Sequence, residues 1–170
     1  MKIRNVFTLM LSLVLLFALS VSAFASETDR QDREGVLPNG LKYKIHYLTD
    51  EEIADRENAV KPFSYSWSGN VNVPISNAAG TNGKQLGKDF VIGPDTTAII
   101  TVGSLPSTMP TVNVAAAATN GMWTDWIPNV GGNSEITFEP GDGYEYYSYA
   151  VKVSTSENAS KSASFSIETE

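Results

Sequence analysis

From Val36 to the C-terminus the chain alternates apolar and polar positions in short runs, and most runs end in Gly, Pro, Asn or Asp. After the turn Pro38-Asn39-Gly40, residues Leu41, Tyr43, Ile45 and Tyr47 alternate with Lys42, Lys44 and His46. That pattern predicts a strand with one buried face. Phe63, Tyr65 and Trp67 alternate with serines, Gly69-Asn70 has the form of a turn, and Val71, Val73 and Ile75 alternate again. A hairpin is predicted there, with Pro74 placing its second strand at an edge. Phe90-Val91-Ile92 predicts a short strand. Thr96–Val102 is β-branched and almost wholly apolar, which predicts a central strand. Thr111–Ala118 follows Pro110 and alternates at Val112 and Val114, which favours strand over helix despite its alanines, and Glu135–Glu139 predicts another strand. The clearest pair is C-terminal. Tyr144–Val153, a polar turn and Ser162–Glu168 predict a hairpin with Tyr147, Tyr149, Val151, Val153, Phe165 and Ile167 facing the core, and Tyr144 and Tyr146 facing solvent.

A single helix is predicted, over Thr49–Ala59. Thr49 can cap it, Glu52 stands three residues on as a capping box requires, and Asp50, Glu51 and Glu52 suit the positive end of the helix dipole. Only Ile53 and Ala54 are available to bury, so a surface helix is expected. About eight or nine short strands with frequent turn signals predict an all-β fold: an antiparallel β-sandwich with Greek-key or jelly-roll-like connections. Asn77–Lys84, Gly103–Pro110 and Asn129–Asn133 read as loops.

The N-terminus changes the organisation. Lys2 and Arg4 precede the uncharged run Val6–Val21, and Ala23-Phe24-Ala25 has the small-x-small form of a signal-peptidase site. Residues 1–25 are therefore expected to be a secretory signal peptide, and the mature protein to be secreted, extracellular and free of membrane attachment. Ser26–Gly35 is charged, without apolar residues, and is expected to be disordered. Residues 26–61 then form a polar arm carrying one strand and the short helix, and residues 62–170 the sandwich domain.

Charge and residue types narrow the chemistry. The net charge is −7, and loss of Lys2 and Arg4 with the signal leaves −9. An acidic chain without a basic cluster argues against nucleic acid and anionic membrane as partners. The chain has no cysteine, which excludes thiol catalysis, thiolate zinc sites and disulfides, and suits bacterial export. Leu37–Tyr43 (LPNGLKY) is similar to the start of the insulinase-like metallopeptidases. The likeness covers these residues alone, and the two-histidine zinc motif of that family has no counterpart in a chain with one His.

That histidine, His46, lies on the polar face of its strand, where an exposed surface role is expected rather than a catalytic triad. Carboxylates gather near the last turn; Glu139, Asp142 and Glu145 are the candidates for a weak calcium site, which needs six or more oxygens, and turn chemistry is the competing role of Asp142. Trp123, Trp126, Tyr144 and Tyr146 are the candidate binding residues, since exposed aromatic faces stack on sugar rings or grip a protein. No cofactor is implied. The expected function is that of a non-catalytic protein acting through surface interactions with an unknown protein or polysaccharide at the cell exterior. The alternatives are a carbohydrate-binding module using the Trp and Tyr residues, and a small carboxylate-dependent hydrolase.

Overall fold

The computed structural model describes residues 30–38, 40–58, 65–76, 83–93, 96–118, 126–140, 147–158 and 160–170. The chain divides into a unit ending at Gln31 and a second unit, Asp32–Glu170, which carries every described element. In order these are β1 (Arg33–Val36), β2 (Lys42–Tyr47), α1 (Asp50–Asn58), β3 (Tyr65–Val73), β4 (Lys84–Ile92), β5 (Ala98–Val102), β6 (Thr111–Ala118), β7 (Ile127–Gly131), β8 (Ser134–Glu139), β9 (Tyr147–Ser154) and β10 (Lys161–Thr169). The unit is mostly β, with two antiparallel sheets and one short helix, as the alternation predicted. The six-stranded sheet runs β1-β2-β8-β5-β10-β3 and the four-stranded sheet β4-β9-β6-β7.

Period-two alternation gives most strands one apolar face, and those of both sheets feed a single buried cluster. The larger sheet contributes Ile45, Ile100, Ile136, Phe138, Phe165 and Ile167; the smaller contributes Leu86, Ile92, Val114, Val130, Val151 and Val153. Residues Ala98–Val102 are central, between β8 and β10, as their composition predicted. The Gly103–Pro110 connection adds to the core: Met109 is fully buried, and Leu105 packs against the cluster.

The C-terminal strands keep their predicted inner faces but do not form a hairpin. Tyr149, Val151, Val153, Phe165 and Ile167 are buried. Yet β9 pairs with β4 and β6, while β10 pairs with β3 and β5. The connection is steered from one sheet to the other. Thr155 N donates to Pro74 O at 2.9 Å, Ser76 N donates to Thr155 O at 2.9 Å, and Ser160 Oγ donates to Val73 O at 2.6 Å.

The hairpin predicted at Gly69-Asn70 is also absent; β3 runs straight through it. Gly69 pairs with Phe165 and Asn70 with Ser164 in an unbroken nine-residue register. The ring of Trp67 lies over Gly69, filling the space a side chain would occupy. Partner pairing along β10 thus overrides a local turn signal.

Two further differences concern strands with little apolar content. Arg33–Gly35, the end of the segment expected to be disordered, forms β1 with Val36 against β2, with Gly35 opposite Tyr43 and covered by its ring. Arg33 reaches the smaller sheet, donating to the carbonyls of Pro128 and Asn129. Asn129–Gly131, expected to be loop, completes β7. Asn129 and Asn133 both have positive φ, which asparagine tolerates better than most residues.

Candidate functional site

The register of the larger sheet builds a polar patch on its outer face. His46 on β2 stands opposite Glu135 on β8, Glu135 opposite Thr101 on β5, and Thr101 opposite Ser166 on β10. Helix α1 is fastened across these strands. Its capping box forms as predicted: Thr49 N and Oγ1 donate to Glu52 at 2.7 and 2.8 Å, and Glu52 N donates to Thr49 Oγ1 at 3.3 Å. Near the other end Arg56 is ion-paired with Glu135, donates to Thr101 Oγ1 at 2.8 Å and lies 3.9 Å from Glu168.

His46 is exposed, as expected, but it is tied on both sides. Its Nδ1 is 2.7 Å from Asp32 and its Nε2 3.1 Å from Glu52. A neutral imidazole can donate from one nitrogen only, so two carboxylates call for the imidazolium. The hydrogen bonds to Asp32 and then to Glu52 raise the His46 pKa above its ordinary value. Asp32 is lowered, first by His46 and then by the Tyr47 backbone N–H. Glu52 is lowered by the Thr49 N–H, the Thr49 hydroxyl and then His46. With both ring nitrogens engaged, His46 is poorly placed to serve as a general base. It clasps the residue before β1 and the first turn of α1 onto β2.

The clasp has a defined pH window. A raised histidine stabilises fully below its unfolded pKa, 6.5, and this contribution fades as pH rises through the higher folded value. The lowered carboxylates stabilise above their unfolded values, 3.8 and 4.5, and lose that contribution as pH falls through the lower folded ones. The melting temperature of the wild type minus that of His46→Ala is therefore expected to be greatest between pH 4.5 and 6.5. It should shrink on both sides, and a difference that grows above neutrality would contradict the clasp.

Of the sequence-predicted binding residues, Trp123, Tyr144 and Tyr146 lie outside the described residues. Trp126 is half-buried just before β7. Its six-membered ring sits against Gly83, where a Cβ would collide with it, and Lys152 Cβ approaches the same position. The indole Nε1 is buried without a partner among the described residues. Burial lowers the pKa of Lys152. Of the calcium candidates, Asp142 and Glu145 lie outside the described residues, and Glu139 faces Lys44 at 3.4 Å. Among the described residues no three His, Asp or Glu groups gather as metal ligands. A shallow depression of about 350 Å³ beside β1 and β2 is edged by Glu34, Val36, Lys42, Lys44 and Glu139, with charges of both signs.

The patch that sequence reasoning missed belongs to β3 and β10. On the outer face Ser66, Ser68, Asn70 and Asn72 are exposed and stand opposite Glu168, Ser166, Ser164 and Ser162. Small hydroxyl and amide groups thus form a ladder on a two-strand platform, with Glu168 at one end. Behind it, Tyr65 and Trp67 on the inner face reach β4. Tyr65 stacks on Phe90 with ring centroids 5.7 Å apart, and its hydroxyl accepts from Lys88 N at 3.0 Å. The shift in β4 register between Leu86 and Phe90, with Gly87 at positive φ, lets Tyr65 and Trp67 approach the backbone there. The Ser-x-Ser-x-Asn-x-Asn spacing is visible in the sequence, but dividing it at Gly69-Asn70 conceals the ladder.

No family model matches the chain, and a search of curated proteins finds no match either.

Proposed function

We propose that this is a secreted, non-catalytic protein of β-sandwich architecture that acts by presenting the outer face of β3 and β10 to a protein or polysaccharide partner at the cell exterior. The sandwich reading is supported by the single buried cluster drawn from both sheets. Connectivity adds support. From β3 to β10 the chain passes back and forth between the orders 3-10-5-8 and 4-9-6-7, the arrangement of a jelly roll, with β2 and β1 added beyond β8. Secretion is supported by the basic start, the apolar run and the small-x-small site of residues 1–25.

Fold alone does not assign a function. The observation that carries the reading is the β3–β10 ladder: its hydroxyl and amide side chains stand exposed along β3, which carries no charge, and are held in an unbroken register. The engagement of both His46 nitrogens by carboxylates weighs against acid–base catalysis by the chain's one imidazole.

The test is photo-cross-linking on the cells that make the protein. A photoreactive residue at Asn70, on the ladder, is expected to give discrete adducts; one at Val91, exposed on β4, is expected to give none. Adducts from both positions alike, or from Val91 alone, would contradict the proposal.

A further inference from the structure

Four strands end the two sheets: β1, β3, β4 and β7. An edge strand offers unpaired N–H and C=O groups to any other strand, and proteins blunt such edges with charge, proline, bulges or shortness. Three of these edges are blunted. Strand β1 is four residues long, bears exposed Glu34 and begins at Arg33, which is turned toward β7. Strand β4 bears Lys84, Lys88 and Asp89 and is shifted at Gly87. Strand β7 is five residues long, includes Pro128, has Asn129 at positive φ, and shifts register against β6.

Strand β3 has none of these devices. Its nine residues, Tyr-Ser-Trp-Ser-Gly-Asn-Val-Asn-Val, include no charge and no proline, and the register against β10 is continuous. Among the described residues it pairs with β10 alone. Its links to β4 leave from the inward side chains of Tyr65 and Trp67.

We infer that the outer edge of β3 joins two copies of this chain, strand to strand and antiparallel, across a two-fold axis near Gly69. The inference rests on the reading that the β3 side is where the molecule meets its partner. Electrostatics select this edge for a second copy. The chain is acidic, at −7, so two copies repel wherever charged surfaces meet. The one long uncharged edge is where they approach with least cost. Antiparallel pairing about a two-fold is self-complementary and needs no pocket. Centred on Gly69, it sets Ser68 of one copy opposite Asn70 of the other, small side chains that let the backbones close to ladder distance. The six-stranded sheet becomes a continuous twelve-stranded one across the pair.

Sedimentation velocity of the exported protein, from about 1 to 100 µM (the usual range for weak self-association), is expected to show a monomer–dimer equilibrium. Replacing Ser68 and Asn70 with lysine places like charges across the axis. It is expected to weaken the dimer at least tenfold, while Val91→Lys leaves it unchanged. A monomer throughout, or a dimer indifferent to the two lysines, overturns the inference. Should the lysine variant fold poorly, the absence of native cysteine supplies a second measurement. A mixture of the Ser68→Cys and Asn70→Cys variants is expected to oxidise to a mixed disulfide dimer much faster than a mixture of Asn70→Cys with Val91→Cys, and equal rates overturn the inference. A monomeric protein that still cross-links from Asn70 to a different molecule would sink self-association and leave the proposed function standing.

Discussion

Phe138→Ala is expected to lower unfolding stability by about 3–5 kcal/mol, the range for a buried phenylalanine. Phe138 is fully buried on the inner face of β8, with Tyr43 opposite it on β2 and Ala98 opposite it on β5. Ala98 is already too small to fill the space, so the cavity can collapse only by moving a strand. Net stability of a domain this size is of order 10 kcal/mol, so the loss is a large share of it. The midpoint of urea unfolding should fall with the slope unchanged. Phe138→Leu, which keeps most of the volume, should cost appreciably less. A loss below about 1 kcal/mol for alanine would mean that the site is not the tightly packed core described above.

Arg56→Met is expected to cost about 2–3 kcal/mol. Breaking a buried ion pair costs about 3–5 kcal/mol, and partial exposure reduces that here. Side chains of Arg56, Glu135 and Glu168 are 24%, 15% and 21% exposed. Without the guanidinium, two carboxylates on the outer face lose the cation between them, and α1 loses its fastening to Thr101. Methionine keeps much of the stem packing, which isolates the charge. Adding Glu135→Gln to Arg56→Met should recover part of the loss, because one of the two like charges is gone. Arg56→Lys should rescue incompletely, since an ammonium cannot serve Thr101 and the carboxylates with one planar fork. Urea unfolding of the four proteins checks this, and a neutral Arg56→Met would contradict it.

Features decided within a few residues were legible in the sequence. Thr49 and Glu52 are three apart, and their reciprocal bonds need no tertiary help. The inner faces were legible because alternation fixes which side of a strand is apolar: Ile45, Val151 and Phe165 are buried where the pattern put them. Choice of partner was not legible. Nothing local to Tyr149 or Phe165 says that the chain crosses between sheets; that depends on bonds from Thr155 and Ser160 to residues far away in the chain. Gly69-Asn70 is a turn signal cancelled by a nine-residue partner and a covering tryptophan.

Charged composition misled at β1 for a similar reason. Arg33–Val36 is ordered by pairing with β2 and by the reach of Arg33 to Pro128 and Asn129. The His46 clasp joins residues 14 and 6 positions away, and its carboxylates looked like ordinary surface charge. Of the aromatic residues singled out in the sequence, Trp126 is placed against Gly83 rather than standing fully clear of the surface. The ladder on β3 and β10 became visible only once those two strands were seen side by side.

Pairing of two copies through the outer edge of β3 would cover the backbone N–H groups of that strand only in the dimer. Amide hydrogen exchange of residues 65–73 at dilute and concentrated protein tests it most directly. Protection of β3 is expected to rise with concentration while the edges β1, β4 and β7 exchange at unchanged rates. Exchange of β3 that is the same at every concentration, or protection that rises at another edge instead, would contradict it.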